Sequence, residues 1–248
     1  MKYDKKEMGK RICFVSVYIG NKEHKEISYK LERNDLYDYL FFTNLDKKDF
    51  KGVEWEIIKI NVNDFPGLNN VKISRYFKFM SYKYIRESLG RDYDIILYCD
   101  CYLYPKYKAK WEKIIKGIDD YGILQYIHPT KKCVAKELEG ICKNGKDTYD
   151  NMKRTELYLG GIDGKIDLKE DGLFFENTVI GFNIRSEDVI KYLEEFWFYY
   201  KDCPTYRDQP LWNFLLKSRG RRVCVKERAE FRDYFLGEKS MERNMKHY

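Results

Sequence analysis

The chain has 248 residues, 44% of them hydrophobic and 17% aromatic, which is enough to build a buried core and excludes intrinsic disorder. Lysine and arginine outnumber aspartate and glutamate by 47 to 40. This surplus is spread along the chain, with one dense run at 217–222, whereas nucleic-acid-binding proteins concentrate basic residues on one face. We therefore expect no nucleic-acid partner; the charge suits a small anionic substrate or a solvated, lysine-rich surface.

Membrane spans and metal clusters are also not expected. Charged residues make up 35% of the chain, and the longest apolar runs, such as 95–99, are strand-sized and too short to cross a bilayer. The seven cysteines form no Cys-x-x-Cys pair, and the three histidines lie far apart in sequence. The charged N-terminus is unlike a signal peptide. These features predict a cytoplasmic protein with reduced thiols.

The first half of the chain is predicted to combine strands with one long helix. Residues 12–19 form a nearly continuous apolar and β-branched run, typical of a strand buried on both faces of a parallel sheet. Apolar side chains at helical spacing predict a helix over 74–89, which Gly90 ends. Further strands are predicted over 39–43, 55–60 and 93–99.

The second half gives less regular patterns. It predicts helices over 133–142 and 148–159, a turn over 160–164, and strands over 122–126 and 178–184. Ser186 is a typical N-cap for the next helix, and Pro204 separates that helix from a last one that begins near Asp208. Strands that alternate with helices predict an α/β fold in a single domain, followed by a polar tail over 237–248.

Asp100 is the first candidate for a ligand-binding side chain. It ends the most hydrophobic predicted strand, and ligands of open α/β sheets bind beyond the carboxyl ends of the strands. A carboxylate at that place suits a hard cation that bridges the phosphate oxygens of a nucleotide diphosphate. The alternative is that Asp100 caps the following turn. Tyr102 stands where an Asp-x-Asp pair would have its second acid.

Three other polar residues have two interpretations each. Asp208, beside Arg207 and Gln209 at the start of an apolar helix, is either a catalytic base or a helix cap. Glu176 is either a partly buried carboxylate or, as we expect, a solvated loop acid. His128 is either a phosphate or metal partner or a core histidine bonded to backbone. The chain has no P-loop, Gly-x-Gly-x-x-Gly or Gly-x-Ser-x-Gly pattern, which argues against those nucleotide-binding and hydrolase classes.

Taken in order, several short segments resemble GT-A glycosyltransferases, in particular those of large algal (chlorella) viruses and a plant mucilage-related glycosyltransferase-like family. The resemblance covers residues 11–216. Its motifs are Tyr18-Ile19-Gly20, Phe42-Thr43-Asn44, Trp55-Glu56-Ile57, Ser74-Arg75-Tyr76-Phe77-Lys78, 93–100, His128 with Glu137, 176–180, Trp197 and Arg207-Asp208-Gln209. The family usually has Trp-Ile-Asp where this chain has Tyr98-Cys99-Asp100, so the aspartate alone carries over.

This resemblance implies a GT-A-like, Rossmann-like mixed sheet flanked by helices, with a nucleotide-sugar-binding half over 11–126 and an acceptor-binding half over 127–236. It implies transfer of a sugar from a nucleotide-sugar, with UDP as the expected nucleotide, to a glycan or another hydroxyl acceptor. The residues expected at the donor are Arg75, Lys78, Asp100, Tyr102, His128, Arg207 and Gln209. Asp100 would also hold Mn²⁺ or Mg²⁺. Asp208 would be the base of an inverting displacement, with Glu176 as the alternative. If the chain is viral, its expected location is the host cytoplasm.

Two other classes of function stay open. Some plant relatives suggest a ceramidase-like lipid amide hydrolase, which would need an activated nucleophile or a zinc site. A non-catalytic nucleotide- or carbohydrate-binding module is favoured if Asp100 and Asp208 lie far apart. Metal dependence is open as well, because lysine and arginine side chains could offset the charge of the leaving phosphate instead.

Overall fold

The computed structural model describes residues 10–21, 33–49 and 54–237. The predicted polar tail beyond 237, the charged N-terminus, His24 and His247 lie outside the described residues. The strands are β1 (Ile12–Tyr18), β2 (Asp38–Thr43), β3 (Glu56–Lys59), β4 (Ile95–Cys99), β5 (Leu103–Pro105), β6 (Ile123–Ile127), β7 (Phe175–Asn183), β8 (Cys224–Lys226) and β9 (Phe235–Gly237). The helices are α1 (Asn70–Leu89), α2 (Trp111–Tyr121), α3 (Val134–Lys143), α4 (Tyr149–Ile162), α5 (Glu187–Tyr200), α6 (Asp208–Ser218) and α7 (Phe231–Tyr234).

Seven strands form one mixed sheet in the order β3-β2-β1-β4-β7-β6-β8, and β5 pairs with β9 in a separate ribbon. β7 runs antiparallel to both of its neighbours, whereas the other pairs in the sheet are parallel. The parallel strands end at one edge of the sheet, and β7 begins at that same edge. The predicted α/β class and the mixed, Rossmann-like sheet are confirmed.

Helices cover both faces of the sheet, so the molecule has two apolar cores. One core lies under α1, α3, α4, α5 and α6 and contains Val15 and Trp212. The other lies under α2 and α7 and contains Phe14 and Trp111. The neighbours Phe14 and Val15 point into different cores and both have 0% exposure. β1 is therefore buried on both faces, as its apolar sequence predicts.

The helix ends follow from capping residues. The Asn69 side chain accepts a hydrogen bond from the backbone N–H of Lys72 at 2.9 Å, so α1 begins before the predicted residue 74. Gly90 ends α1 as predicted, with a φ of 62° in the left-handed region that glycine adopts without strain. The predicted cap Ser186 is also confirmed, because its hydroxyl accepts from the N–H of Val189.

The predicted turn over 160–164 is wrong. α4 continues through Gly160 and Gly161 to Ile162. Leu159 is fully buried and Ile162 packs against the same core, and this packing offsets the poor helix propensity of two glycines, about 1 kcal/mol each. β7 likewise starts earlier than the predicted residue 178, so Glu176 belongs to a strand and not to a loop.

β7 carries a bulge at the edge where the parallel strands end. Gln125 of β6 pairs with Ile180, but the next residue, Tyr126, pairs with Glu176, so residues 177–179 of β7 have no partner on β6. The carbonyl of Thr178 accepts from the backbone N–H of Asp100 at 2.9 Å, which ties the bulge to the end of β4. Bulges redirect side chains, and this one changes which side chains of β7 lie at the edge of the sheet after β4.

Gly181 of β7 lies where α2 packs closely on the sheet. A Cβ at this position would meet Ile118 Cδ1 at 2.5 Å and Leu124 Cβ at 3.1 Å, and both side chains are fully buried. We expect Gly181→Ala to lower the free energy of unfolding by about 1–3 kcal/mol, because the added methyl overpacks the core. Gly172→Ala is the matched control, since a Cβ there meets no atom within 4 Å. Urea denaturation of both variants measures the effect, and equal stability would contradict the close approach.

Candidate functional site

The sheet has a topological switch point between β1 and β4. From β1 the chain adds β2 and β3 on one side, whereas β4 pairs with the other side of β1. Ligands of open α/β sheets bind at such a point, in the crevice outside the carboxyl ends of the strands. A cavity of about 120 Å³, which we call the switch-point cleft, lies there between the ends of β1 and β4, α1, the bulge of β7 and the start of α6.

The switch-point cleft brings together seven of the nine predicted site residues, namely Arg75, Lys78, Asp100, Tyr102, Arg207, Asp208 and Gln209. Glu176 and His128 do not line it. Lys78 Nζ lies 3.8 Å from Asp100 Oδ1 and 3.2 Å from Asp208 Oδ2, so the two aspartates are close to each other. The wide separation that would favour a non-catalytic module is therefore not observed.

A larger cavity, of about 590 Å³, lies elsewhere, beside α3, α6 and the edge strand β8. Its lining includes apolar side chains such as Phe174 and Leu216, and it contains none of the nine predicted site residues. We assign the candidate site to the smaller cleft because of its position at the switch point and because charged groups converge there.

Arg75, Lys78 and Asp208 form a buried charge cluster, which we call the buried triad. Arg75 Nε donates to Asp208 Oδ1 at 2.8 Å. Lys78 Nζ lies 3.2 Å from Oδ2 of the same carboxylate and forms a second ion pair with it. The two cations are three residues apart on α1 and therefore face the same side of the helix. The exposed fractions of Arg75, Lys78 and Asp208 are 9%, 2% and 3%. Because charges buried this deeply require partners, the triad fixes α1 against α6.

Both carboxylate oxygens of Asp208 contact polar side chains of neighbouring residues. Besides the two cations, Asn177 Nδ2 donates to Asp208 Oδ2 at 2.9 Å. Burial alone would raise the pKa of the Asp208 carboxyl, but Lys78, Arg75 and Arg207 hold it well below its ordinary value. The N-cap of α6 is Arg207, and its cap position has no side-chain hydrogen bond. A carboxylate held this way is a poor proton acceptor, so the contacts favour a positioning role over the predicted role of base.

Asp100 comes directly after the last residue of β4 and is more open than the triad, with 27% of its side chain exposed. Its Oδ1 accepts a hydrogen bond from the Tyr98 hydroxyl at 2.8 Å. Within the described parts of the chain, no group of three His, Cys, Asp or Glu residues is arranged to hold a metal ion. A Mg²⁺ or Mn²⁺ ion at Asp100 would therefore take its other ligands from phosphate oxygens and water, which is a common arrangement for Mg²⁺. Asp100 therefore fits a metal ion whose coordination is completed by phosphate oxygens and water.

Arg207 gives the switch-point cleft a surplus of positive charge. It lines the cleft, is partly exposed, and its side chain makes no hydrogen bond or ion pair with another described residue. Together with the two cations of the triad it faces the carboxylates of Asp100 and Asp208, so three positive charges oppose two negative ones, a net charge of +1. Its charge also opposes the rise that burial causes in the pKa of the Glu137 carboxyl. Its N–H groups, which make no hydrogen bond to the described residues, are suited to a phosphate or carboxylate group of a ligand.

Glu176 lies beside the cleft and is 7% exposed, so the expectation of a solvated loop acid is wrong. Arg228, which follows β8, forms an ion pair with it. Burial raises the pKa of Glu176 to about 7 against the opposing effect of Arg228, and the charge of Asp100 adds to the increase. Glu176 precedes Thr178, a cleft residue, by two positions on the same strand. A carboxyl group that is half ionised near neutral pH is suited to act as a general base.

His128 follows β6 and lies outside the switch-point cleft. Its Nδ1 accepts from the backbone N–H groups of Thr130 and Lys131, at 3.2 and 2.9 Å. Burial lowers the pKa of the ring to about 4, and Lys131 adds to the decrease. The ring is therefore neutral at pH 7, with its proton on Nε2. This geometry corresponds to the interpretation of a histidine bonded to backbone.

Sequence reasoning missed Asn177, Tyr98 and Arg228. Asn177 stands next to Glu176 in a motif that was noticed, yet its contact with Asp208 depends on the bulge of β7. The ring of Tyr98 lies 4.9 Å from Lys78 Nζ, a cation–π contact that stabilises the buried ammonium. Arg228 belongs to no motif, and its pairing with Glu176 requires β8 to lie beside β6.

No protein-family model and no curated protein matches this chain. No described helix is both long and apolar enough to cross a membrane. None of the seven cysteines, all of which lie in the described residues, is paired in a disulfide.

We expect Asp208→Asn to destabilise the fold. The change leaves Arg75 and Lys78 buried, with the more open Asp100 as the nearest acid. The free energy of unfolding at pH 7 should fall by about 3–5 kcal/mol, the usual loss when one partner of a buried ion pair is removed. Asp100→Asn is the control and should cost about 1 kcal/mol or less, since its side chain is partly solvated. Urea denaturation of both variants measures the difference.

The difference in unfolding free energy between the wild type and Asp208→Asn should also depend on pH. The folded state holds the pKa of Asp208 below its ordinary value of 3.8, so its stabilising effect is complete above that pH and is lost as the pH falls through the folded pKa. The stability difference between wild type and Asp208→Asn should therefore shrink below pH 4. A difference that stays constant down to pH 2 would contradict the depressed pKa.

Proposed function

We propose that the protein is a GT-A-type glycosyltransferase that binds a nucleotide-sugar, with a UDP-sugar as the first candidate, in the switch-point cleft. The observation that carries this proposal is the convergence of Arg75, Lys78, Arg207 and Asp100 at the place where open α/β sheets bind nucleotides. The sequence resemblance supplies the reaction class, and the cleft supplies a site of suitable charge. The sugar would pass to a hydroxyl group of a glycan or another acceptor.

In this proposal the diphosphate of the donor lies against Arg207, with the two cations of the triad behind it. Negative charge develops on the diphosphate as the bond between the anomeric carbon and the phosphate oxygen breaks. Cations that are already fixed in place stabilise this charge without reorganising. Asp100 is the residue that would hold a Mg²⁺ or Mn²⁺ ion, which when bound would offset the charge of the same phosphate oxygens.

We give the role of general base to Glu176 instead of Asp208. Its carboxylate would accept the proton of the acceptor hydroxyl while that oxygen attacks the anomeric carbon, a single displacement that inverts the configuration. The pKa of about 7 keeps Glu176 basic enough for this step, whereas the cations around Asp208 reduce its basicity. Arg228 would orient the Glu176 carboxylate. Both residues belong to the half of the chain expected to bind the acceptor.

Two alternatives receive less support. A module that binds a nucleotide without catalysis would use the same cleft, and the buried, nearly neutral-pKa Glu176 next to it favours an enzyme. A lipid amide hydrolase would need an activated nucleophile or a zinc site, and the described residues offer no three-ligand cluster for zinc. The free thiols suit a cytosolic location, which is part of the proposal.

Donor binding tests the first part of the proposal. Arg207→Gln should weaken UDP binding about tenfold at low ionic strength, because it removes a charge-assisted hydrogen bond, and less at high salt. Arg154→Gln, an exposed arginine of α4, is the matched control and should change nothing. Isothermal titration calorimetry with UDP and GDP, with and without Mn²⁺, gives the dissociation constants. Failure of the wild-type protein to bind any of these nucleotides would refute the proposed donor.

Measurements of turnover test whether Glu176 is the general base. Glu176→Gln should keep donor binding and lose about 10²–10⁴ in kcat, the range usual for a positioned general base. Because the base must be deprotonated, the kcat/KM of the wild type should rise with pH through an apparent pKa of about 7. Glu187→Gln, on the exposed start of α5, serves as the control. Wild-type turnover in Glu176→Gln, or a product that retains the anomeric configuration, would exclude this role.

A further inference from the structure

A second group of charged residues lies beside the switch-point cleft. It consists of Lys131, Glu137, Lys146 and Arg207, and we call it the α3 cluster. Glu137 lies on α3, and Lys146 follows the end of that helix. Lys131 Nζ donates to the backbone carbonyl of Lys136, the residue before Glu137, at 2.9 Å. The ammonium of Lys131 therefore lies along α3, next to Glu137.

Hydrogen bonds hold the chain at Lys146 next to Arg207. Asp147, the residue after Lys146, accepts from the Thr205 hydroxyl at 2.9 Å. It also accepts from the backbone N–H of Tyr206 at 3.1 Å. These contacts fix the loop after α3 against the residues that precede Arg207. Because Arg207 also lines the switch-point cleft, the α3 cluster is continuous with that cleft.

Glu137 has a carboxyl group without a partner. The residue is 9% exposed, and no hydrogen bond or ion pair joins its side chain to another described residue. Its oxygens are not completely enclosed, so a ligand can reach them. Burial raises the pKa of the carboxyl, and the three cations of the α3 cluster oppose this rise. A buried acceptor of this kind needs a hydrogen-bond donor, which a ligand can supply.

The cations of the α3 cluster form no ion pair with a described acidic residue. Lys131 bonds to a backbone carbonyl, and the side chains of Lys146 and Arg207 contact no acceptor in the described part of the chain. With Arg207 assigned to the donor diphosphate, Lys131 and Lys146 remain, so two positive charges still face the one negative charge of Glu137. The cluster therefore favours a ligand that carries an anionic group.

The α3 cluster also extends towards Glu176, the proposed base. The backbone N–H of Lys131 donates to His128 Nδ1 at 2.9 Å. Burial lowers the pKa of the His128 ring, and the charges of Arg228 and the two lysines of the cluster add to the decrease. Arg228 is the ion-pair partner of Glu176. A ligand at the α3 cluster thus has the switch-point cleft on one side and the proposed base on another.

We propose, on the basis of the proposed function, that the α3 cluster binds the acceptor and that the acceptor is an acidic sugar. Its carboxylate or phosphate group lies at Lys131 and Lys146, and one of its hydroxyl groups donates to Glu137. The three residues belong to the half of the chain expected to bind the acceptor. They are specificity-determining residues, and they select acidic sugars over neutral ones.

The test measures the binding of three sugar probes by isothermal titration calorimetry, with saturating UDP present to occupy the position at Arg207. Methyl glucoside is neutral, methyl glucuronide carries a carboxylate, and glucose 6-phosphate carries a phosphate. At low ionic strength at least one acidic probe should bind about tenfold more tightly than the neutral one, the usual gain from a hydrogen bond to a charged group. The preference should fall at high salt. The two acidic probes distinguish a carboxylate from a phosphate ligand.

Variants assign the preference to the cluster. The double variant Lys131→Gln, Lys146→Gln should abolish it, whereas Lys143→Gln, an exposed lysine of α3 that pairs with Glu139, should leave it unchanged. Glu137→Gln should weaken the neutral probe, which loses a charged acceptor, and strengthen the acidic one, because a negative charge beside the anion is removed. A merely structural Glu137 would change the binding of both probes in the same direction.

Circular dichroism melts check folding, and the probe series on the wild type alone tests the inference if a variant does not fold. Equal binding of all three probes while UDP binds would overturn the inference and leave the donor site in place. A preference that persists in the double lysine variant would also overturn it, since the anion would then bind elsewhere. Failure of the wild type to bind UDP would refute the proposed function itself.

Discussion

The candidate site depends on one buried ionic cluster, in which Asp208 of α6 forms ion pairs with Arg75 and Lys78 of α1. Arg75 and Asp208 are 133 residues apart in sequence, so the contact forms only when the two halves of the sheet have come together. A buried charge without its partner is strongly unfavourable, and the three residues therefore hold α1 and α6 in a fixed relation. The same residues keep positive charge beside the cleft. Stability and the proposed binding of a diphosphate thus depend on the same side chains.

The direction of β7 decides which further groups reach the site. Because β7 alone in the sheet is antiparallel, its first residues lie at the edge where its neighbours β4 and β6 end. Glu176 is the last residue before the bulge that is paired with β6, and Asn177 is the first residue of the bulge, where side chains are redirected. Glu176 turns towards Arg228, and Asn177 turns towards Asp208. One short segment therefore supplies a group to each side of the reaction that we propose.

Local patterns predicted the fold class, most strands and the caps at Gly90 and Ser186, because these features depend on nearby residues. α2 was missed although Trp111, Ile114 and Ile118 are buried at helical spacing, a signal that was available in the sequence. The strand end at Asp100 pointed to the switch-point cleft, since that rule depends on topology. The partners of Asp208 and the burial of Glu176 could not be predicted, because they depend on pairings between distant segments.

The bulge of β7 has a consequence for how this site can diverge. Residues 177–179 are not paired with β6, so the ladder between those strands does not depend on what occupies them. Asn177 and Thr178 nevertheless line the cleft. A sequence can therefore change at these positions, and with it the ligand, while the hydrogen bonds of the surrounding sheet are kept. In related proteins with this bulge we would expect the side chains of these residues to vary first. Ligand specificity could then change while the backbone of the sheet stays the same.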